Sequence, residues 1–212
     1  MPTLRILRDG WEIATDPAGN VTGRACFSDD GTRRYVLIRR WGHELVKGEP
    51  TGDPGVMPLT WIMLNPSTAG AVDDDATIRK CVGYAKRWGY GGIRVLNLFD
   101  LIATYPRALR DAPMPCSPAN ERVWAEWLRP MNGGTEWSLL ELRPDVVVGW
   151  GDSADVGCTR TRKLLLDRDR WAAEFLARSG IEPMCLGLTK RGHPLHPVRT
   201  PYDLERVPWK VR

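Results

Sequence analysis

Apolar and polar positions follow two rhythms along this chain. Leu59-Thr60-Trp61-Ile62-Met63-Leu64 is an almost unbroken apolar run, and Ile93 to Leu98, Pro144 to Gly151 and Met184 to Leu188 are built alike. Runs of this length, too short for helices, read as strands covered on both faces. Between them the spacing lengthens to the helical period. Ile78, Cys81, Val82, Ala85 and Trp88 share one face of a helix over Thr77 to Trp88, with Asp74 or Asp75 as its cap and Gly89 as its stop. Ser117 followed by Pro118 opens a second helix that would bury Trp124, Trp127 and Leu128. A long helix from Thr161 to Arg178 turns Leu164, Leu165, Trp171, Phe175 and Leu176 inward.

Upstream, Arg24 to Phe27 and Arg34 to Ile38 flank Asp29-Asp30-Gly31-Thr32, which predicts a β-hairpin around an Asp-Gly turn. Gly and Pro mark a loop from Glu49 to Pro58. Strands alternating with helices favour a right-handed, mostly parallel sheet. The expected organisation is one α/β domain over 1–212, with residues 1–50 as a β-rich extension packed on it.

Composition narrows the class. A hydrophobic fraction of 42% and a charged fraction of 26% over 212 residues suit a globular chain with a sizeable core. No apolar run approaches the roughly 20 residues that span a bilayer, and the first residues carry no secretory pattern, so the cytoplasm is the expected compartment. Cys26, Cys81, Cys116, Cys158 and Cys185 are scattered and form no C-x-x-C pair, and His43 beside Trp41-Gly42 reads as structural. A net charge of +4 is compatible with a polyanionic partner without demanding one.

The chemistry-bearing residues recur at equivalent places. Asn65-Pro66-Ser67 follows the first apolar strand, Asn97 ends the second, Trp150-Gly151-Asp152 follows the third, and Thr189 to His196 follows the fourth. In an open α/β sheet the ligand crevice lies outside the carboxyl ends of the strands, so these segments are expected to converge. Asn65 either orients water or substrate or closes an Asx-type turn. Asn97, an amide between Leu96 and Leu98, must find partners and can read the edge of a nucleobase. His193 and His196 each precede a proline, and either can donate to a developing anion or sit in a surface turn. Asp73-Asp74-Asp75 could hold Mg²⁺ or be a solvated helix start. Lys190, Arg191 and Arg199 could meet phosphates, as could Arg79, Lys80, Lys86 and Arg87 on the first helix.

Leu64-Asn65-Pro66-Ser67-Thr68-Ala69, Asp74-Asp75 with Thr77-Ile78-Arg79, Arg87 to Gly91, Asn97-Leu98-Phe99, and Leu186 to Lys190 with Gly192-His193-Pro194 and His196-Pro197 resemble an uncharacterised bacterial and phage domain family of unknown function. The resemblance runs from about Arg34 to Tyr202. More distantly, the order of motifs is similar to the uracil-DNA glycosylase superfamily. There an Asn-Pro loop positions water, a strand asparagine reads the base, and a late His-Pro or Asn-Pro loop contacts the leaving base. That resemblance implies a three-layer α/β sandwich around a mostly parallel central sheet, preceded by the antiparallel hairpin. It implies water positioning by Asn65, base reading by Asn97 and leaving-base contact by His196. Ser67, Phe99, Trp150 and His193 are expected around the base or substrate, and Lys190, Arg191 and Arg199 against phosphate or DNA. Leu64 stands in place of a glycine-rich entry, and no aspartate occupies the water-activating position.

The expected function is therefore a base-processing enzyme, an N-glycosylase-like hydrolase acting on an extruded or modified base. Its partner would be DNA or a nucleotide, with no cofactor, metal or membrane. Two other readings stand beside it: a Mg²⁺-dependent phosphoesterase or nuclease using Asp73 to Asp75, and a catalytically silent nucleic-acid-binding module.

Overall fold

The apolar run ending at Leu64 becomes a strand because cores on both faces absorb its side chains, Leu59, Trp61 and Met63 on one side and Ile62 on the other. The computed structural model describes residues 3–6, 10–17, 21–41, 58–105, 107–128, 144–152 and 159–210. His43, Cys158 and most of the loop expected from Glu49 to Pro58 lie outside these residues. The described strands are β1 (Thr3–Ile6), β2 (Trp11–Thr15), β3 (Val21–Phe27), β4 (Arg34–Arg40), β5 (Pro58–Met63), β6 (Gly92–Asn97), β7 (Val146–Val148), β8 (Met184–Cys185) and β9 (Val207–Pro208). The helices are α1 (Ala76–Arg87), α2 (Arg107–Asp111), α3 (Pro118–Trp127) and α4 (Thr159–Arg178), and a 3-10 turn covers Pro197–Arg199.

All nine described strands join one sheet in the order β1-β2-β3-β4-β6-β5-β7-β8-β9. The sheet is mixed and mostly antiparallel, which overturns the expected mostly parallel, glycosylase-like sandwich. Only β6-β5, β5-β7 and β7-β8 pair in parallel, while β1-β2, β2-β3, β3-β4, β4-β6 and β8-β9 are antiparallel. The reason lies in β4. The β3-β4 hairpin forms around Asp29 to Gly31, but it does not pack on a finished sheet. Instead β4 takes the open edge of β6, with Leu37 opposite Val95 and Arg40 opposite Gly92, so the amino-terminal meander continues the sheet.

Within the parallel block the chain runs from β5 through α1 to β6 on one side, then through α3 to β7 on the other. Ile78, Cys81, Tyr84 and Ala85 of α1 pack with Leu59, Trp61, Ile93 and Val95. On the opposite face Trp124 of α3 and Ala172 and Leu176 of α4 pack with Ile62, Leu96, Val146 and Val148. The direction of winding reverses between β5 and β7, and a crevice opens beyond the carboxyl ends of strands at such a reversal. Asp75 caps α1 by accepting from Ile78 N at 2.8 Å, and Gly89 ends it at φ +83°. Ser117 caps α3, with Pro118 in its first turn.

The antiparallel wing also supports the loop after β5. A Cβ on Gly23 would meet the Ala71 carbonyl oxygen at 2.2 Å, so only glycine admits this approach. Arg39 on β4 binds Asp74 Oδ1 and the Gly70 carbonyl, both at 2.7 Å.

Candidate functional site

Beyond the carboxyl ends of β5, β6 and β7, against the start of α1, lies a cleft of about 590 Å³. Asn65, Ser67, Asn97, Trp150, His196 and Arg199 line it. Phe99, His193, Lys190 and Arg191 are not among its lining residues. Phe99 is instead 1% exposed inside the core beneath α3.

Asn97 ends β6 opposite Met63. Its carbonyl accepts from Asn120 Nδ2 at 3.0 Å and Trp124 Nε1 at 3.1 Å, which fixes the backbone from the α3 side. The side chain is 1% exposed, and neither Nδ2 nor Oδ1 has a partner among the described residues. A buried amide is rarely left so, because each unmet group carries its desolvation cost.

Asn65 is anchored through its nitrogen. Nδ2 donates to the Pro66 carbonyl at 2.9 Å and to the Ala103 carbonyl at 2.7 Å, while Oδ1 has no partner among the described residues. The residue thus offers an acceptor whose direction is set by two hydrogen bonds. Ser67 Oγ accepts from Thr68 N at 2.6 Å.

His196 caps the 3-10 turn, its Nδ1 accepting from Val198 N at 3.3 Å. In the neutral ring the proton then sits on Nε2, the nitrogen left to act as a donor. Burial holds the imidazole below its usual range, Arg199 adds to this, and Asp75 opposes it. His196 is therefore an uncharged donor near neutral pH. The loop after β7 abuts it: Gly151, at φ +68°, leaves 3.0 Å between an added Cβ and His196 Cβ. Gly151 N also donates to the Pro194 carbonyl at 2.8 Å.

His193 turns elsewhere, its Nδ1 lying 2.8 Å from Asp169 Oδ2. That hydrogen bond raises the His193 pKa against burial. Burial pushes the Asp169 carboxyl up against the pull of His193, and the Trp150 indole adds a weaker pull without closing a hydrogen bond. Both shifts are upward, so the folded state holds these protons more tightly and the stability they confer falls as pH rises. The His193 part is complete below its ordinary value of 6.5 and is lost as pH rises through the raised value. Accordingly, the melting temperature of wild type over His193→Gln should be greater at about pH 6 than at about pH 8.5. A margin that widens toward alkaline pH would contradict this assignment.

The cleft also holds residues that the sequence pattern does not single out, Arg34, Thr77 and Thr104, beside Asp152 and Thr189 of the expected loops, with Asp75 in its second capacity as a wall. Arg34 is 2% exposed, donates from Nη1 to the Ala69 carbonyl at 2.6 Å, and leaves Nε unpartnered among the described residues. Burial draws its pKa down to about 10, so it stays charged at neutral pH. Thr189 Oγ1 donates to Asp152 Oδ1 at 2.9 Å and ties the third and fourth loops together.

Asp74 is paired with Arg39 and Asp75 with the first turn of α1, so the acidic run is engaged in structural bonds. Among the described residues no group of three or more His, Cys, Asp or Glu is placed to hold a metal ion. Among the described residues, Cys81, Cys116 and Cys185 are free thiols. No described helix is long and apolar enough to cross a membrane.

A cleft at the carboxyl ends of parallel strands, lined by amide, hydroxyl and imidazole groups, marks a mixed-sheet α/β protein with a polar pocket where folds of this kind place their ligand crevice. The chain belongs to the family described as Protein of unknown function (DUF1643), which matches residues 34–198. No curated protein and no solved structure matches it.

Proposed function

We propose that this protein is a base-processing hydrolase that cleaves the N-glycosidic bond of a nucleotide or nucleoside unit. The observation that carries the reading is Asn97, a buried amide in the cleft whose donor and acceptor both lack partners among the described residues. A nucleobase edge offers the complementary acceptor and donor in one plane. Asn65 Oδ1 accepts a hydrogen bond from water and turns its lone pair toward C1′. The C1′–N bond breaks with its electron pair passing to the base, whose developing negative charge His196 Nε2–H stabilises. Water forms the new C1′–O bond and releases a proton to solvent, which returns one to the departed base anion, giving free base and a sugar hydroxyl. No strong general base is needed, because an oxocarbenium-like centre accepts a weak nucleophile.

Free-base release from a panel of nucleosides, nucleotides and single-stranded oligonucleotides, read by chromatography and mass spectrometry, tests this directly. Release by the wild type should persist in excess EDTA. Asn97→Ala should lower it about 10-fold or more, since the base loses its hydrogen bonds. The same substitution should leave the melting temperature within about 3 °C, because it removes two unmet polar atoms rather than a folding contact. A chelator-sensitive strand break without free base would sink the proposal, and so would tight ligand binding with no turnover.

A further inference from the structure

We infer that the cleft wall formed by Arg34 and the first turn of α1 is a phosphate subsite, so that the substrate carries its phosphate into the cleft. The inference deepens the reading above and rests on it for the identity of the base end. A guanidinium has five N–H donors, and Arg34 engages one of them with Ala69 while Nε is buried and has no partner among the described residues. No carboxylate forms an ion pair with it among the described residues. Asp75 attracts it from a distance without closing an ion pair, and a buried cation with no carboxylate in contact is heavily penalised, which a neutral base edge would not compensate. An anionic oxygen group would.

The start of α1 points independently to the same chemistry. Asp75 satisfies one of the orphan amides of this 12-residue helix, Ile78 N through Oδ1 at 2.8 Å, while its carbonyl accepts the first intrahelical bond from Arg79 N at 3.0 Å. The amides of Ala76 and Thr77 have no partner among the described residues, and both residues line the cleft. They stand at the positive end of the helix, where phosphate oxygens are commonly held. Phosphate alone among the groups of a nucleotide offers several charged acceptors at once to a guanidinium fork and paired amides.

Asp75 and Asp152 stand in the same walls, and Arg199 in the opposing sense. Two carboxylates make the cleft a poor trap for a lone anion. The phosphate is therefore retained as part of a larger ligand whose neutral end fills the space beside Asn97. It belongs either to a mononucleotide or to a phosphodiester of a single strand.

Calorimetric titration separates the possibilities, using nucleoside 5′-monophosphates, the matching nucleosides, a short single-stranded oligonucleotide and inorganic phosphate. On wild type a phosphate-bearing ligand should bind at least ~10-fold tighter than its nucleoside. Arg34→Met, which replaces a buried charge by an apolar side chain of similar length, should erase that preference while keeping nucleoside affinity. Ala76→Pro offers a second variant should Arg34→Met fail to fold. Proline suits the first helical position, Asp75 before it is already extended at ψ 177°, and the change deletes one amide donor. It should weaken phosphate-bearing ligands severalfold and leave nucleosides unaffected.

A preference confined to mononucleotides, or confined to the oligonucleotide, supports the subsite and identifies its source. Equal affinity of wild type for nucleoside and phosphorylated ligand overturns the subsite and leaves base recognition standing. If no nucleoside or nucleotide binds at all, the base reading fails. The subsite then stands only if inorganic phosphate raises the melting temperature of wild type and not of Arg34→Met.

Discussion

His196→Ala is expected to lower base release on the order of 10²-fold, with substrate affinity much less affected. The donor acts on charge that develops as the C1′–N bond breaks, so its loss falls on kcat more than on KM. Two features permit a clean test. His196 Nδ1 is engaged by Val198, so only Nε2 is available for chemistry. Burial and Arg199 keep the ring uncharged, so its contribution is hydrogen bonding rather than a net positive charge. His196→Gln places an amide N–H near the position of Nε2 and should recover part of the lost rate. Equal loss in both variants, or a loss only in affinity, would assign His196 to the fold of its loop.

Trp124→Ala is expected to cost about 3–5 kcal/mol of folding stability, a fall in melting temperature on the order of 10 °C. The indole is 0% exposed and meets Trp171 edge-on at 4.9 Å and Phe175 at 5.7 Å. Its Nε1–H also holds the Asn97 carbonyl, so truncation leaves a cavity and frees the backbone that carries the cleft amide. Denaturant unfolding measures the first effect. Trp124→Phe, which keeps most of the volume and loses the hydrogen bond, separates the second: its stability cost should be smaller, while its effect on base release should remain. A Trp124→Ala protein as stable as wild type would show that α3 is not fastened to the sheet as described.

The parts of the fold legible in the sequence are those fixed by local chemistry. β5, β6 and α1 declare themselves through continuous apolar runs, an aspartate cap and a terminating glycine. β7 and β8 are shorter than their apolar runs suggest, because pairing stops where the chain turns into the cleft loops. The antiparallel majority of the sheet is not legible. The pairing of β4 with β6 joins residues more than fifty positions apart, such as Leu37 and Val95, and periodicity carries no record of a partner.

The same divide runs through the site. Asn65, Asn97 and His196 are visible as polar interruptions at strand ends, and all line one cleft. His193 and His196 look alike in sequence, each before a proline. They are separated by Asp169 in α4, which engages the former. Arg34 is hidden for a different reason: its place in the cleft follows from where β4 docks, which no local pattern states.

The region matched to the family begins at Arg34, the first residue of β4, whose outer edge is covered by β3 through Arg24 opposite Ile38, Ala25 opposite Leu37 and Cys26 opposite Val36. A chain cut back to that boundary would keep every cleft residue named above. It would also present Val36, Leu37 and Ile38 as an open ladder of backbone donors and acceptors, the kind of edge along which separate molecules join into aggregates. The three strands before it thus act as a guard rail along β4.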